Sequence, residues 1–264
     1  MKDNVSICRR ADKFCSNPSY SIKRAIVALV SCGLLAGVAS AQEPDPSELL
    51  RQMNDEIAGL QSFILSGDAY ADARLDAGLI IEHASQATLR VRKPDLIRIT
   101  NKTEEDVKEL YFASGVLTVY TKSRNFYGQT AIPEGVMSAL DYAVHELGID
   151  APMIDFVSDN MVERWLAIAT DIQYVGRSLI RGKLYEHVAI RAPEIDIQIW
   201  IAAEGRPLPG KMALSAKWDG GAPRTVVFMD WNTDPDFPDG EVRFIAPDGA
   251  TKISFESRST TEEQ

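Results

Sequence analysis

The chain has 264 residues and three cysteines, with 28 lysines and arginines against 38 aspartates and glutamates, a formal net charge of −10. All three cysteines, Cys8, Cys15 and Cys32, stand near the amino terminus, so a domain that follows them is without disulfides, thiolate catalysis or Cys-ligated metals. The acidic balance argues against nucleic acid as a partner, because phosphate binding needs a basic face, and against permanent attachment to anionic lipid.

The first element in chain order is a secretory signal. A basic region ends at Lys23 and Arg24, an apolar run covers residues 25–38, and Ala39-Ser40-Ala41 places small residues where a signal peptidase needs them. The run is too short to span a bilayer as a stable helix, and the proline-broken Gln42-Glu43-Pro44-Asp45-Pro46 follows it. Cleavage after Ala41 is the expectation. It leaves a periplasmic chain of residues 42–264 with no stable membrane insertion. The presequence takes away six Lys/Arg and two Asp/Glu, so 22 basic residues face 36 acidic ones, a net charge of about −14. Two rival readings compete here. Leu29-Val30-Ser31-Cys32 resembles a lipobox that would anchor the chain through Cys32, yet Leu34, Leu35 and Val38 stay apolar where lipoproteins carry a polar tether. Arg9-Arg10 resembles a twin-arginine signal, but Ala11-Asp12-Lys13-Phe14 does not continue it.

The remaining length suits one domain. Asp45 or Ser47 can cap a first helix in which Leu49, Leu50, Met53, Ile57, Leu60 and Ile64 recur at helical spacing. Strand-like runs follow at 62–70, 79–91, 96–102, 107–113, 116–121 and 125–130, with Ser114-Gly115 the tightest turn signal. Such short connections exclude crossover helices and predict an antiparallel meander. The period then changes. Pro133 can open a helix with Met137, Leu140, Val144 and Leu147 on one face and Gly148 at its end. Asp150 with Pro152 can start a second, carrying Met153, Ile154, Phe156 and Val157, and a third apolar segment covers 161–169. Strands resume at 172–180, 183–192, 195–203, 211–218 and 225–232, with shorter ones near 242–245 and 252–255. Between Ile195 and Ile201 four isoleucines take one face while Asp196, Gln198 and Trp200 take the other. The pattern predicts an α+β protein: a single large curved antiparallel sheet, an incomplete β-barrel, covered by an N-terminal helix and a helical insert.

Signatures of covalent or metal chemistry are missing from this pattern. There is no Gly-x-Ser-x-Gly elbow, His-Glu-x-x-His helix, phosphate loop or dinucleotide turn; no cofactor, metal or enzymatic activity is expected. His83, His145 and His187 lie far apart, and His187, in a strand, reads as a hydrogen-bonded structural residue. Asp234 with Asp236, and Glu104-Glu105-Asp106, sit in polar turns where so acidic a chain produces such pairs by chance. Trp200, Trp218 and Trp231 fall in consecutive strands and could stack on a sugar, although a core role is simpler. What stands out is apolar supply. Amphipathic helices over a curved sheet either pack solid or enclose an apolar cavity. Its wall would be Met137, Leu140, Val144 and Leu147, then Ile154, Phe156 and Val157, with Ile197 and Ile199 from the sheet.

Several segments carry a family resemblance: Tyr174-Val175-Gly176, Gly182 with His187-Val188-Ala189, residues 196–201, Arg206-Pro207-Leu208-Pro209 with Lys211, Trp231-Asn232 and Pro247-Asp248-Gly249-Ala250. Residues 92–98 and 152–157 extend it into the first half. On these the chain resembles the DUF2092 family of predicted periplasmic proteins, over nearly all of residues 42–264. Gly210 departs from the pattern, since the family tends to place a basic residue before the lysine; a positive patch at this turn is therefore in doubt. The order of elements is also similar to the lipoprotein-carrier superfamily, which implies an incomplete barrel with helices over a cavity for acyl chains. The resemblance implies a periplasmic binding or carrier protein for a lipid, lipidated peptide or other apolar ligand, with the insert as lid. The alternatives are a regulatory module that senses the envelope by docking an envelope protein, and a hydrolase using His187 with Asp196 or Glu186.

Overall fold

Asp45 caps the first helix: its carboxylate accepts the Ser47 N–H at 2.9 Å, and Pro46 occupies the first helical position, where no N–H is needed. The computed structural model describes residues 43–76, 78–147, 153–217 and 223–255. The expected signal segment, all three cysteines, Gly148, Asp150, Pro152 and Trp218 lie outside the described residues. Helix α1 (Pro46–Gly59) buries Leu50, Met53 and Ile57. It stops before Ile64, which stands in the first strand and not on the helix.

Six strands follow: β1 (Ser62–Arg74), β2 (Ile80–Arg92), β3 (Leu96–Lys102), β4 (Val107–Ala113), β5 (Val116–Thr121) and β6 (Phe126–Ala131). The insert holds α2 (Val136–His145), a 3-10 turn (Ile154–Val157) and α3 (Met161–Ile168). Then come β7 (Asp171–Ile180), β8 (Lys183–Arg191), β9 (Ile195–Ala202), β10 (Pro209–Ala216), β11 (Arg224–Asn232) and β12 (Thr251–Ile253). All twelve strands form one sheet in the order β12-β6-β5-β4-β3-β2-β1-β11-β10-β9-β8-β7. It is thus two antiparallel meanders joined where β1 pairs with β11, Ile64 facing Asn232 and Ala71 facing Thr225. The sheet does not close, because β7 and β12 are its two edges. Two-residue turns at Ser114-Gly115 and Arg181-Gly182, each with two positive φ angles, match the twist of the strands they join.

Four details depart from the sequence pattern. β12 pairs in parallel with β6, Thr251 against Phe126, so the sheet has one short parallel pair. Residues 242–245 form no strand; they follow a 3-10 turn at Asp239–Glu241. The strand expected at 211–218 runs Pro209–Ala216. Helix α2 starts at Val136 and not at Pro133, with Gly135 as its cap at φ 106°. Its buried stripe is Ala139, Leu140 and Ala143, so Val144 falls beside that face.

One sheet face is inner, covered by the helices. Alternation sends Phe63, Leu65 and Ala69 of β1 to it, along with Leu89, Ile99, Val188, Ile197, Ile199, Met212 and Val227. With Leu50, Met53, Leu140, Phe156 and Trp165 from the helices they form one continuous apolar cluster. The buried Asn54 ties α1 to the insert: its amide donates to the Asp159 carbonyl at 2.9 Å, and its oxygen accepts the Val162 N–H at the start of α3 at 3.3 Å. Lys93 supports the same joint, donating to the Ala58 carbonyl at the end of α1 (2.7 Å) and to the Asp159 carboxylate.

The outer face of the first meander is crossed by a strap at 233–250. Phe237 lies under the Arg92 guanidinium, Val242 packs with Leu96, and the Glu241 carbonyl accepts from Arg98 at 3.1 Å. Further on, Phe244 sits among the rings of Tyr111, Tyr120 and Tyr127 at 5.0 to 5.7 Å. Burial, and then the bond to Glu109, raises the Tyr111 hydroxyl well above its ordinary pKa.

Candidate functional site

The residues expected to line a cavity are brought together, with one exception. Leu140, Phe156, Val157, Ile197 and Ile199 belong to the continuous inner cluster, and Met137, Leu147 and Ile154 pack half-buried against it. Val144 is half-buried and outside that cluster. A side chain facing a void wide enough for water keeps accessible surface; Leu140 keeps 3%, Phe156 1% and Ile199 0%. Around these three the space between sheet and insert is filled by protein.

The apolar inner face nonetheless continues past the helical cover. At the end of the sheet where β7 turns into β8, a cleft of about 590 Å³ opens beside Leu179, Leu184, Leu208, Met229 and Trp231. Leu179 is 75% exposed and Leu184 36%. Trp231 is the floor. Its indole donates to the Pro209 carbonyl at 2.8 Å, and its ring meets Phe63 at 5.4 Å and Phe156 of the insert edge-on at 5.8 Å. A molecule in the cleft therefore touches a ring that also packs against Phe156 of the insert. One wall is the loop at 203–208, held down by Arg206, which pairs with Glu56 of α1 and donates to the Thr233 hydroxyl at 2.7 Å. The rim is polar, with Lys183, Glu204, Arg206 and Asp230.

This cleft was not legible beforehand, because its walls come from the ends of β7, β8 and β11 and from one loop. A signal existed in Leu179 and Leu184, two apolar residues flanking a hairpin turn.

The outer face explains the histidine. His187 stacks on Trp200 with centroids 4.1 Å apart and planes 15° apart, and its Nε2 is 3.2 Å from Gln198 Oε1. Burial, set against the bond to Gln198 and helped by Lys211, holds the imidazole below its ordinary pKa. Neighbours on a strand point to opposite faces, so Glu186 lies on the inner side. Its carboxylate, only 6% exposed, accepts from the Tyr174 hydroxyl at 2.6 Å and from Arg177 at 2.9 Å. Asp196 pairs with Lys217 at 2.6 Å, four residues along β9 from Trp200, roughly 13 Å away. The groups of the hydrolase reading thus occupy three separate places. Nor do the tryptophans form a platform: Trp231 is on the inner face and Trp200 on the outer.

Other candidates resolve into structural parts. Asp106 clips the β3–β4 turn, accepting the Val107 N–H at 2.7 Å and the Ser123 N–H at 3.0 Å; burial pushes its carboxyl up, but these bonds outweigh it and hold it below the ordinary value. Gly210 makes room for Tyr185, whose ring would lie 2.4 Å from any Cβ at that position. Among the described residues no group of three or more His, Cys, Asp or Glu could hold a metal ion, and no helix is long and apolar enough to cross a membrane.

The family model described as "Predicted periplasmic protein (DUF2092)" matches residues 47–256, and the chain belongs to that family. No curated protein matches it. Among solved structures, the lipoprotein LppX of Mycobacterium tuberculosis is similar at 13% identity, covering 73% of this chain and 99% of its own, with a TM-score of 0.45. LprF of Mycobacterium bovis is similar at 14% identity over 74% of this chain and 97% of its own, TM-score 0.46. A LolA superfamily protein of Nitrosomonas europaea is similar at 10% identity over 76% of this chain and 99% of its own, TM-score 0.36.

Proposed function

We propose that this is a periplasmic binding or carrier protein for an apolar or lipidated ligand. The observation that carries the reading is the apolar inner face running out from under the helices into an open cleft, with Leu179 three-quarters exposed. Exposed large apolar residues around a concavity are where soluble proteins take apolar partners. Each methylene that enters such a cleft contributes about 0.8 kcal/mol, so a chain of modest length suffices and no catalytic residue is called for. The insert is the lid in this reading: Phe156 of its 3-10 turn packs edge-on against Trp231, so the cover and the cleft floor share a contact. Periplasmic placement follows the family description and the signal segment, with cleavage after Ala41 and Cys32 removed.

Native mass spectrometry with lipid extraction, on protein purified from its own host, tests the reading. A co-purified acyl ligand supports it; a stoichiometric protein partner and no lipid favours the docking alternative. The intact mass reports the terminus as well: Gln42 first is expected, and a diacylglyceryl group on Cys32 would make the protein membrane-anchored.

A further inference from the structure

We infer that the cleft takes a single-chain amphiphile, one hydrocarbon chain with one polar head, and discriminates against lipids with two or more chains; this rests on the apolar-ligand reading above. Size is the first reason. About 590 Å³, open on one side, lies within the roughly 300–1,000 Å³ that holds one small ligand. The second reason is that the floor does not give way. Trp231 is pinned through its indole N–H to Pro209 and backed by Phe63 and Phe156, which are themselves fully buried. The third is the wall. Arg206 holds the loop at 203–208 to Glu56 and Thr233, so widening for a second chain requires breaking an ion pair and a hydrogen bond together. The rim completes the match, since Lys183, Glu204 and Asp230 leave a polar head in water and among charged partners while the chain lies on Leu184 and Leu208.

The test is competition against a fluorescently labelled hexadecanoate bound to the purified protein. Competitors are unlabelled hexadecanoate, a hexadecyl phosphocholine, and a short-chain diacyl phosphatidylcholine kept below its micelle concentration. Both single-chain compounds should displace the label, and the diacyl compound should do so at least about tenfold more weakly. Leu184→Glu, at a partly exposed position that leaves the fold intact by melting, should weaken single-chain binding at least about tenfold. Arg206→Gln, which frees the loop, should narrow the gap between single-chain and diacyl competitors. Equal displacement by the diacyl compound overturns the inference and leaves the apolar-ligand reading standing. Undiminished binding by Leu184→Glu overturns it too, by placing the ligand elsewhere. If the folded wild type takes up no labelled chain, both fall.

Discussion

Met153 rests its sulfur where a side chain on Gly67 would be: a Cβ at Gly67 would lie 2.8 Å from Met153 Sδ and 3.0 Å from both Val227 Cγ1 and the Phe228 carbonyl. Gly67 is on β1 opposite Met229 of β11, so the insert docks on the seam between the two meanders. Gly67→Ala should cost about 1–3 kcal/mol through overpacking, read from urea unfolding. Adding Met153→Ala should return part of that loss, because the two side chains compete for one space. Strictly additive costs would show that the sulfur does not dock there.

Leu140 faces protein on every side, at 3% exposure. Leu140→Ala should therefore cost about 2–5 kcal/mol, the range for a filled core. A cost well under this, with probe uptake weakened, would mean that open space already adjoins the residue.

The His187 imidazole is held below its ordinary pKa, chiefly by burial. Its sign is settled by linkage. The unfolded chain takes up this proton near pH 6.5 and the folded chain only at lower pH, so the histidine costs nothing well above that pH and becomes a penalty as pH falls through about 6.5 toward the folded value. The stability of wild type relative to His187→Gln should thus decline between about pH 7.5 and 5.5. A pH-independent difference would contradict the shift.

Phe237 anchors the strap across the outer face, buried beneath Arg92 and beside Leu96 and Val242. Phe237→Ala should cost about 3–5 kcal/mol, and the strap should become the first segment cut in limited proteolysis. Cleavage starting elsewhere, at unchanged rate, would show that the strap is held by Phe244 and β12 alone.

Much of the sheet was legible because alternation carries it: β3, β4 and β5 run where the residue pattern puts them, and Ile197, Ile199 and Ile201 share the buried side. The helix faces were harder. A stripe shifted by one position, Ala139 and Ala143 beside Leu140 in place of Val144, hides behind small residues that look neutral in sequence. Residues 242–245 alternate as a strand does, yet Val242 and Phe244 find their partners among side chains of the outer face. Trp200 reads as the mixed side of β9 and is buried all the same, because His187 and Tyr185 of β8 close over it, a contact set by strand register. The cleft needed the fold itself, since Leu179, Leu208 and Trp231 meet only once β7, the 203–208 loop and β11 converge.

Whether the emerging inner face binds apolar ligands is tested most directly by titrating folded protein with a naphthalene-sulfonate probe, wild type beside Leu184→Glu. The account predicts saturable uptake at one site by wild type, and binding at least about tenfold weaker in the variant at an unchanged unfolding midpoint. Absence of saturable uptake by the folded wild type would contradict it.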